Sequence, residues 1–538
     1  MVVCMLSYWA APEVTAQQQR LFPHNKAWSG WQEGYLRQQD TSAIFRTHTA
    51  FRPLRLEQMK ATPRTFWQAD TLRRFGPFLK KGLIGRKLWK DHFASYADTG
   101  VFISLDALFN LGVGRSDPDD RSLYNNTRGF SIQGHVGPKL SFESAFYTAQ
   151  IFFPTYFDSI VRQTGAAPGL GRTRSAVGAD GLSVIYATGN ISWTPSRYFN
   201  LQFGHGEHFI GEGYRSMIWS DVTFPQPFLK ATTHIGRRIQ YTNLYTQLQE
   251  LDRMPGVGDP RLPNKYVAAH YLSIKFGKRW DVGLFEAVVW PDQDATGDRN
   301  FDLNYLNPVI FLRPVEFGIG SPDNVLIGTN ISYRAGQKAL LYGQFILDEF
   351  KSTELFAGNG WWANKFGYQF GVKTWAPFGL EGTMFRLEHN AARPFTYTHT
   401  RPRRSYSHYG LSLAHPLGAN FRETVAIARY RKQRWMGKLK WNRADFGIDS
   451  AGANYGADVT QLSDEPAREY NNEIGQGRPV AHQFWEASIG YLLNPLTNMQ
   501  LELSALYRTR ALDGVAQPDV SVIMLRWKTG LVNRYRDF

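Results

Sequence analysis

The chain has 538 residues, a formal net charge of +15 and 15% aromatic residues. A mean hydropathy of -0.37, with no run of about 20 apolar residues, excludes a helical membrane protein. The basic residues are scattered along strand-like segments and form no tail or basic helix, which argues against nucleic-acid binding. The single cysteine, Cys4, has no second cysteine with which to form an internal disulfide.

The N-terminal residues have the pattern of a secretory signal. A short apolar run from Val2 leads to Val14-Thr15-Ala16, a small-residue cleavage pattern, although no basic segment precedes the run. We therefore expect residues 1–16 to be a signal peptide; a buried N-terminal strand is the alternative. Residues 17–95 show little alternation. They predict a short, irregular or partly helical segment that is periplasmic or plug-like.

From Gly100 onward the apolar residues recur with a period of two. One uninterrupted apolar face consists of Val101, Ile103, Leu105, Ala107, Phe109, Leu111 and Val113. The opposite face includes Ser104, Asp106 and Asn110. An apolar face of this length fits a tilted strand in a bilayer, which needs about 9–11 residues.

Strand pairs with short connections follow one another along the chain. The clearest pairs are Phe130–Val136 with Leu140–Phe146, Val184–Trp193 with Tyr198–Phe203, Tyr266–Phe276 with Arg279–Trp290, Thr424–Lys432 with Trp435–Trp441, and Leu501–Tyr507 with Val520–Trp527. Longer polar connections are expected at Ser116–Thr127, Thr164–Gly181, Arg253–Lys265, Pro291–Asn300, Arg393–Ser407 and Asp449–Pro479. Alternation of short turns and long loops is typical of an outer-membrane barrel.

Residues 96–538 are therefore predicted to form an all-β fold, a transmembrane antiparallel β-barrel of about 16–18 strands. The last strand, Val520–Trp527, is expected to close the cylinder, and the final residue, Phe538, is the aromatic expected at such an end. Girdles of Tyr and Trp at the two membrane interfaces would account for the high aromatic content. The predicted location is the outer membrane of a Gram-negative bacterium.

Several segments resemble a known family. They are Phe209–Ser216, Asp302–Glu316, Gly320–Gly328, Leu347–Phe350, Gly358–Gly367, Leu413–Glu423, Asn472–Gly477 and Asn533–Phe538. From about residue 100 to its end, the chain resembles outer-membrane proteins of the Bacteroidota capsule assembly Wzi family, including the gliding-motility-associated branch. The resemblance implies a monomeric barrel without enzymatic activity, cofactor or catalytic residues. In the capsule branch, it implies a lectin-like protein that holds exported polysaccharide on the cell.

The candidate glycan-binding residues centre on Trp361 and Trp362. Sugar rings expose C–H faces that stack on indole, and the nearby amide of Asn359 could bind hydroxyl groups; the alternative is an interfacial aromatic girdle. Further polar candidates come from the motif match alone, and each could equally stabilise the barrel. They are Arg215, Arg313, His415, Asn420 and Arg422.

Other motifs favour structural roles. His205, Glu207 and His208 form a polar cluster without an identifiable fourth ligand, so no metal site is assigned. The acidic stretch from Asp292 lacks the bidentate glutamate of a calcium loop. Glu286 is expected to face the lumen and to pair with an arginine or lysine, because a carboxylate facing lipid is costly.

Three functions remain open. The first is binding or organising of surface polysaccharide, as in capsule assembly and attachment. The second is a structural role in motility or type IX secretion machinery, with motility or secretion components as partners. The third is an anion-selective diffusion channel. The basic charge favours anionic partners such as surface polysaccharide or lipopolysaccharide, next to outer-membrane lipid. No nucleic-acid partner is expected.

Overall fold

The computed structural model describes residues 49–55, 82–175, 181–251, 262–294, 297–308, 311–450, 452–530 and 535–538. Within these ranges the chain forms a closed antiparallel β-barrel of 18 strands. The strand number confirms the prediction of about 16–18. Among the described residues, no helix is long and apolar enough to cross a membrane.

The barrel strands are numbered in chain order. They are β1 (Val101–Asp117), β2 (Arg121–Val136), β3 (Leu140–Phe152), β4 (Leu182–Ser196), β5 (Phe199–Gly206), β6 (Gln226–Ile235), β7 (Ile239–Gln249), β8 (Asn264–Phe276), β9 (Trp280–Pro291), β10 (Asn324–Ala335), β11 (Ala339–Glu349), β12 (Lys365–Trp375), β13 (Thr383–Ala392), β14 (Phe421–Lys432), β15 (Trp435–Ile448), β16 (Arg478–Asn494), β17 (Met499–Leu512) and β18 (Val520–Lys528). Each strand pairs with the next one in the chain. The cylinder closes where β18 pairs with β1, from Ser521 opposite Asp117 to Lys528 opposite Asn110.

Short helices and strands lie outside the 18 barrel strands. The α-helices are α1 (Leu83–Trp89), α2 (Thr155–Thr164), α3 (Leu312–Ile319) and α4 (Ser352–Ala357), and the 3-10 helices are Leu303–Leu306 and Pro377–Gly379. A five-residue strand, Ala94–Asp98, pairs with the start of β1. The two-residue strands are Phe51–Arg52, Ala166–Ala167, Gly171–Arg172, Arg174–Ser175, Phe209–Ile210, Gln293–Asp294, Gly297–Asp298, Ser407–His408, Leu411–Ser412 and Val515–Ala516.

Along β1, the exposed and buried faces are inverted relative to a soluble protein. Ser104, Asp106 and Asn110 are buried, while Val113 on the opposite face is exposed. This is the pattern of a strand whose polar residues face a packed lumen and whose apolar residues face lipid. It confirms the two faces predicted from the alternation.

The five predicted strand pairs are all present. Four of them have short connections at one end of the barrel, whereas the pair of β17 and β18 is joined at the opposite end by residues 513–519. In outer-membrane barrels the short turns face the periplasm, and the long loops face the cell exterior. Exposed tryptophans ring the periplasmic end, among them Trp193, Trp280 and Trp435. Amphipathic indole rings favour the interface between lipid and water, so they mark the edge of the bilayer.

The loop predicted at Ser116–Thr127 is wrong. β1 continues to Asp117 and β2 begins at Arg121, so only residues 118–120 form a turn. These strands have 17 and 16 residues, more than the about 9–11 that span a bilayer. Their outer halves rise beyond the lipid, where polar residues are favourable on both faces, and the sequence pattern there resembles that of a loop.

The lumen is filled by several chain segments. In residues 49–55, Phe51–Arg52 pairs with Phe209–Ile210, and the Phe51 ring lies 6.0 Å from that of Tyr271 on the inner face of β8. α2 folds inward, where Phe157 and Val161 pack with Tyr147 and Tyr186. The predicted signal peptide and most of segment 17–95 lie outside the described residues, so that division of the chain stays a prediction.

The position of Phe538 corrects one expectation. The closing strand ends at Lys528, and Phe538 is not part of it. Residues 535–538 lie inside the barrel instead, with the Phe538 ring 6.2 Å from that of Phe157 and the Asp537 side chain fully buried. Closure rests on backbone pairing between β18 and β1, so it needs no terminal aromatic.

Candidate functional site

The long connections gather at the extracellular end. They span residues 153–181, 207–225, 250–263, 292–323, 350–364, 393–420, 449–477 and 513–519. Two of them meet around the predicted glycan-binding aromatics. We call Asn359, Trp361 and Trp362 the tryptophan patch; it lies in the 350–364 loop, just after α4.

Backbone hydrogen bonds hold the tryptophan patch against the 449–477 loop. The amides of Asn471 and Asn472 donate to the carbonyls of Asn359 and Gly360, each at 2.9 Å, and the amide of Trp362 donates to the Glu469 carbonyl at 3.0 Å. Gly360 has a φ of 70°, and a Cβ there would lie 2.8 Å from the amide nitrogen of Asn472. A glycine is therefore required for the two loops to approach so closely.

The two indoles of the tryptophan patch are partly exposed, with ring centroids 6.1 Å apart and planes tilted by 57°. The ammonium group of Lys351 lies 5.7 Å from the Trp361 ring, and that of Lys365 lies 5.1 Å from the Trp362 ring. Cations at this distance are attracted by the negative face of the ring. The patch therefore combines aromatic surface with positive charge at the mouth of the barrel.

Asn359 orders the edge of the patch. Its side-chain oxygen accepts from the Trp361 amide at 3.1 Å, and its side-chain nitrogen donates to Glu354 at 2.6 Å. The hydrogen bond from Asn359, together with Lys351, lowers the pKa of Glu354 and keeps this partly exposed carboxylate ionised. A ligand here would meet two indoles, an ammonium group and a carboxylate, which can accept hydrogen bonds from hydroxyl groups.

A second cluster lies inside the lumen. Arg215 donates to Glu423 through Nε and Nη2, the shortest contact being 2.8 Å, and Arg215 lies 3.2 Å from Asp537. His415 Nε2 lies 2.7 Å from Glu423, and the Lys440 ammonium lies 3.0 Å from Asp537. We call these five residues the lumen cluster. It joins strands β14 and β15 to the 207–225 segment, the 393–420 loop and the C-terminal residues.

Charge complementarity keeps Arg215 and Asp537 of the lumen cluster ionised. Burial alone would lower the pKa of Arg215, but the carboxylates of Asp537 and Glu423 raise it well above its usual value. Burial would raise the pKa of Asp537, but Arg215 and Lys440 lower it. Burial lowers the pKa of His415, and its Nδ1 accepts a hydrogen bond from the Leu417 amide. His415 is therefore neutral and donates from Nε2 to Glu423.

The structure separates the eight predicted site residues. Asn359, Trp361 and Trp362 lie together at the extracellular end, whereas Arg215 and His415 belong to the lumen cluster. Asn420 is buried; it donates to the Gln476 carbonyl at 2.9 Å and accepts from the Gly475 amide at 2.7 Å.

Arg422 and Arg313 lie outside the barrel. Arg422, the second residue of β14, is exposed on the outward face of that strand and stands opposite Asp445 of β15. The side chain of Arg313 on α3 is 61% exposed and lies 2.9 Å from Glu316.

The prediction for Glu286 is wrong. It lies on the outward face of β9, with exposed Trp280 and Leu284, and not in the lumen. α3 covers it: the amide of Arg313 donates to the Glu286 carboxylate at 3.0 Å, and His270 lies 4.0 Å away. The carboxylate avoids lipid because a helix, not the lumen, shelters it.

The His205 motif does not converge on one point. Glu207 accepts from the Tyr186 hydroxyl at 3.1 Å, His205 Nδ1 lies 2.9 Å from the Ala187 carbonyl, and the His208 ring packs on Phe228. Across the described ranges, no group of three or more His, Cys, Asp or Glu residues is arranged to hold a metal ion.

The sequence reasoning missed Asp537 as the partner of Arg215, and Lys440 as the second partner of Asp537. Lys440 and Asp537 are 97 residues apart in the chain, and both are farther still from Arg215, so no local spacing in the sequence links the three. One signal was present: Lys440 and Asn442 lie at alternate positions of a strand, on the face opposite Leu439 and Trp441. Charged and amide groups on an inward face indicate a polar lumen.

No protein-family model matches the sequence, and no curated protein matches it. Solved structures do resemble the fold. One is Wzi, an outer-membrane protein involved in group 1 capsule assembly in Escherichia coli, described as a carbohydrate-binding β-barrel. The identity is 11%, the TM-score is 0.53, and the match covers 96% of this chain and all of Wzi.

Two further similar structures come from other bacteria. OprD from Pseudomonas aeruginosa has 12% identity and a TM-score of 0.43, over 82% of this chain and 95% of OprD. OccAB2 from Acinetobacter baumannii has 10% identity and a TM-score of 0.43, over 79% of this chain and 97% of OccAB2. The match to Wzi, together with the closed barrel, places the chain among outer-membrane barrels.

Proposed function

We propose that this protein is a non-enzymatic outer-membrane barrel that binds surface polysaccharide through the tryptophan patch. The observation that carries the proposal is the pair of partly exposed indoles at the extracellular end, fixed by backbone hydrogen bonds between two loops. A preorganised aromatic surface binds a ligand with little loss of conformational entropy. The fold likeness to Wzi, a carbohydrate-binding barrel, supports the same reading.

The packed lumen supports binding over conduction. The side chains of Arg215 and Glu423 form an ion pair inside the cylinder and are only 1% and 0% exposed to solvent. A diffusion channel needs a continuous aqueous path, and buried ion pairs at this level oppose one. The anion-channel alternative therefore has less support than glycan binding.

The remaining candidate residues receive different roles in this proposal. Arg313 and Arg422 face outward and would contact lipopolysaccharide phosphates in the outer leaflet, because guanidinium groups bind phosphate well. Arg215, His415 and Asn420 are buried. They would affect glycan binding through the position of the loops that they hold.

The test is the double substitution Trp361→Ala with Trp362→Ala. Loss of roughly 80 Å² of apolar contact, at about 25 cal/mol per Å², amounts to about 2 kcal/mol or about 30-fold in affinity. The affinity of the purified barrel for polysaccharide extracted from its own strain is measured on an immobilised-protein surface. In cells, the variant is expected to release polysaccharide into the medium while total polymer stays constant.

Trp280→Ala is the matched control, because it is the same chemical change at the periplasmic end, on the lipid-facing wall. It should leave unchanged both the affinity for the extracted polysaccharide and the partition of polysaccharide between cells and medium. Equal affinity of the wild type and the double variant for the extracted polysaccharide would overturn the assignment of the tryptophan patch.

A further inference from the structure

The lipid-facing wall carries an apolar groove near the periplasmic end. It has a volume of about 810 Å³ and runs across β13 to β17, next to the turn 376–382. This volume lies within the range of about 300–1,000 Å³ that is usual for small-molecule sites. The outward residues that shape it include Phe378, Leu380, Ala428, Leu439, Ala487 and Ala505.

Small side chains make the groove. Ala428, Leu439, Ala487 and Ala505 stand opposite one another in successive strands, so this cross-strand row has three alanines and one bulky residue. The next row includes Gly437. Larger residues would fill the depression.

Bulky aromatics border the groove on both sides along the strands. Trp441 and Trp485 pair in the row two residues toward the cell exterior, and Trp435 and Tyr491 pair four residues toward the periplasm from the alanine row. These aromatics project from the wall, while the alanines do not. The relief of the wall is therefore a depression between two aromatic ridges.

The turn 376–382 forms the third side. Phe378 in this turn is fully exposed, and Leu380 is largely exposed. Neighbouring periplasmic turns carry polar residues instead, such as Lys338 and Gln433. A fully exposed phenylalanine at the edge of the lipid-facing wall is favourable only if it contacts lipid.

We propose that this groove is a binding site for the acyl chains of one phospholipid from the periplasmic leaflet. The groove is continuous with the lipid-facing wall and lies at the periplasmic end, where that leaflet meets the barrel. Inside a bilayer, apolar surfaces associate through close packing, so a depression that fits a chain holds it better than a flat wall does.

A positive charge stands where the headgroup would lie. Lys432 is exposed on the same outward face of β14 as Tyr430, one outward position closer to the periplasm. A lysine beyond an aromatic girdle is placed to bind a phosphate group at the membrane surface. The apolar groove and this ammonium group together match the two parts of a phospholipid.

The test is native mass spectrometry of the full-length barrel in mild detergent, titrated with palmitoyl-oleoyl-phosphatidylethanolamine. Ala487→Phe and Ala505→Phe fill the groove from exposed outward positions, where the change does not disturb the lumen. Ala187→Phe is the matched control, because Ala187 is also exposed on the outward face of a strand, on β4. Folding of each variant is checked by its heat-dependent mobility in gel electrophoresis.

The wild type and Ala187→Phe are expected to retain one phospholipid. The two groove-filling variants should retain it at least tenfold less. Equal retention by all four proteins would overturn the site. A wild-type mass of two barrels, lost in Ala487→Phe, would also overturn it, because the groove would then be a contact between two copies of the chain.

Discussion

Glu423 is the residue on which the lumen cluster depends most. Five donor atoms converge on its carboxylate: Arg215 Nε and Nη2, His415 Nε2, Asn390 Nδ2 and Asn442 Nδ2, at 2.6 to 3.1 Å. We predict that Glu423→Gln strongly destabilises the barrel, although glutamine has nearly the same shape.

The magnitude follows from the positions of the donors. One carboxylate oxygen accepts from Arg215 and Asn442, and the other accepts from Arg215, His415 and Asn390. An amide NH₂ in either position therefore faces at least two donors. Breaking a buried ion pair by removing one charge costs about 3–5 kcal/mol, because the remaining charge stays buried. We expect a loss of this size in the free energy of unfolding.

The assay is urea unfolding of the barrel in phospholipid vesicles, followed by tryptophan fluorescence. Asp445→Asn is the control: it removes a charge from the Arg443–Asp445 pair, whose side chains are 55% and 52% exposed. Exposed pairs contribute about 0–1 kcal/mol, so this variant should remain near wild type. A Glu423→Gln barrel within about 1 kcal/mol of wild type would refute the reasoning about the cluster.

Two more predictions concern the loops. Burial lowers the pKa of His408 to about 3, whereas in the unfolded chain this histidine binds its proton near pH 6.5. The contribution of neutral His408 to the free energy of unfolding is therefore fully present above about pH 6.5 and is lost as the pH falls toward 3. In His408→Gln, the slope of the unfolding free energy between pH 5 and 6 should decrease by about 1.4 kcal/mol per pH unit; an unchanged slope contradicts this. Glu286→Ala removes the acceptor of the Arg313 amide, a charged hydrogen bond of about 1.5–3 kcal/mol. Backbone amides of α3 should then exchange roughly 10-fold to 100-fold faster with deuterium, whereas Glu354→Ala on α4 should leave them unchanged.

The barrel could be predicted because each strand carries its own pattern. The alternation of apolar and polar residues within Val101–Val113 indicates which face of the strand meets lipid, and a short turn such as Gly137–Lys139 joins one strand to the next. These signals are local. The prediction failed at residues 116–127 because strands that rise out of the bilayer lose the apolar face that identified them.

The contents of the lumen could not be predicted in the same way. Arg215 and Asp537 are 322 residues apart in the chain, and only the closed cylinder brings them together. The prediction that Glu286 faces the lumen failed for a related reason. The cost of a carboxylate in lipid excludes one environment, but a lumen and a covering helix both avoid that cost, and the strand pattern does not distinguish them.

The lumen cluster and the tryptophan patch are connected through the extracellular loops. Arg393 donates to the Trp361 carbonyl at 3.4 Å and lies at the start of the 393–420 loop, which carries His415 toward the lumen cluster. Near the end of that loop, Asn420 holds the Gln476 carbonyl, beside the segment that pairs with Gly360. Rigid support keeps a binding surface in its bound shape. Loss of stability in the lumen cluster should therefore weaken glycan binding, whereas loss of the glycan-binding side chains should not lower stability. Glu423→Gln should weaken both, whereas removal of Trp361 and Trp362 should weaken glycan binding alone. Loss of stability in the tryptophan variant would mean that the indoles are part of the structural support and not the glycan-binding surface.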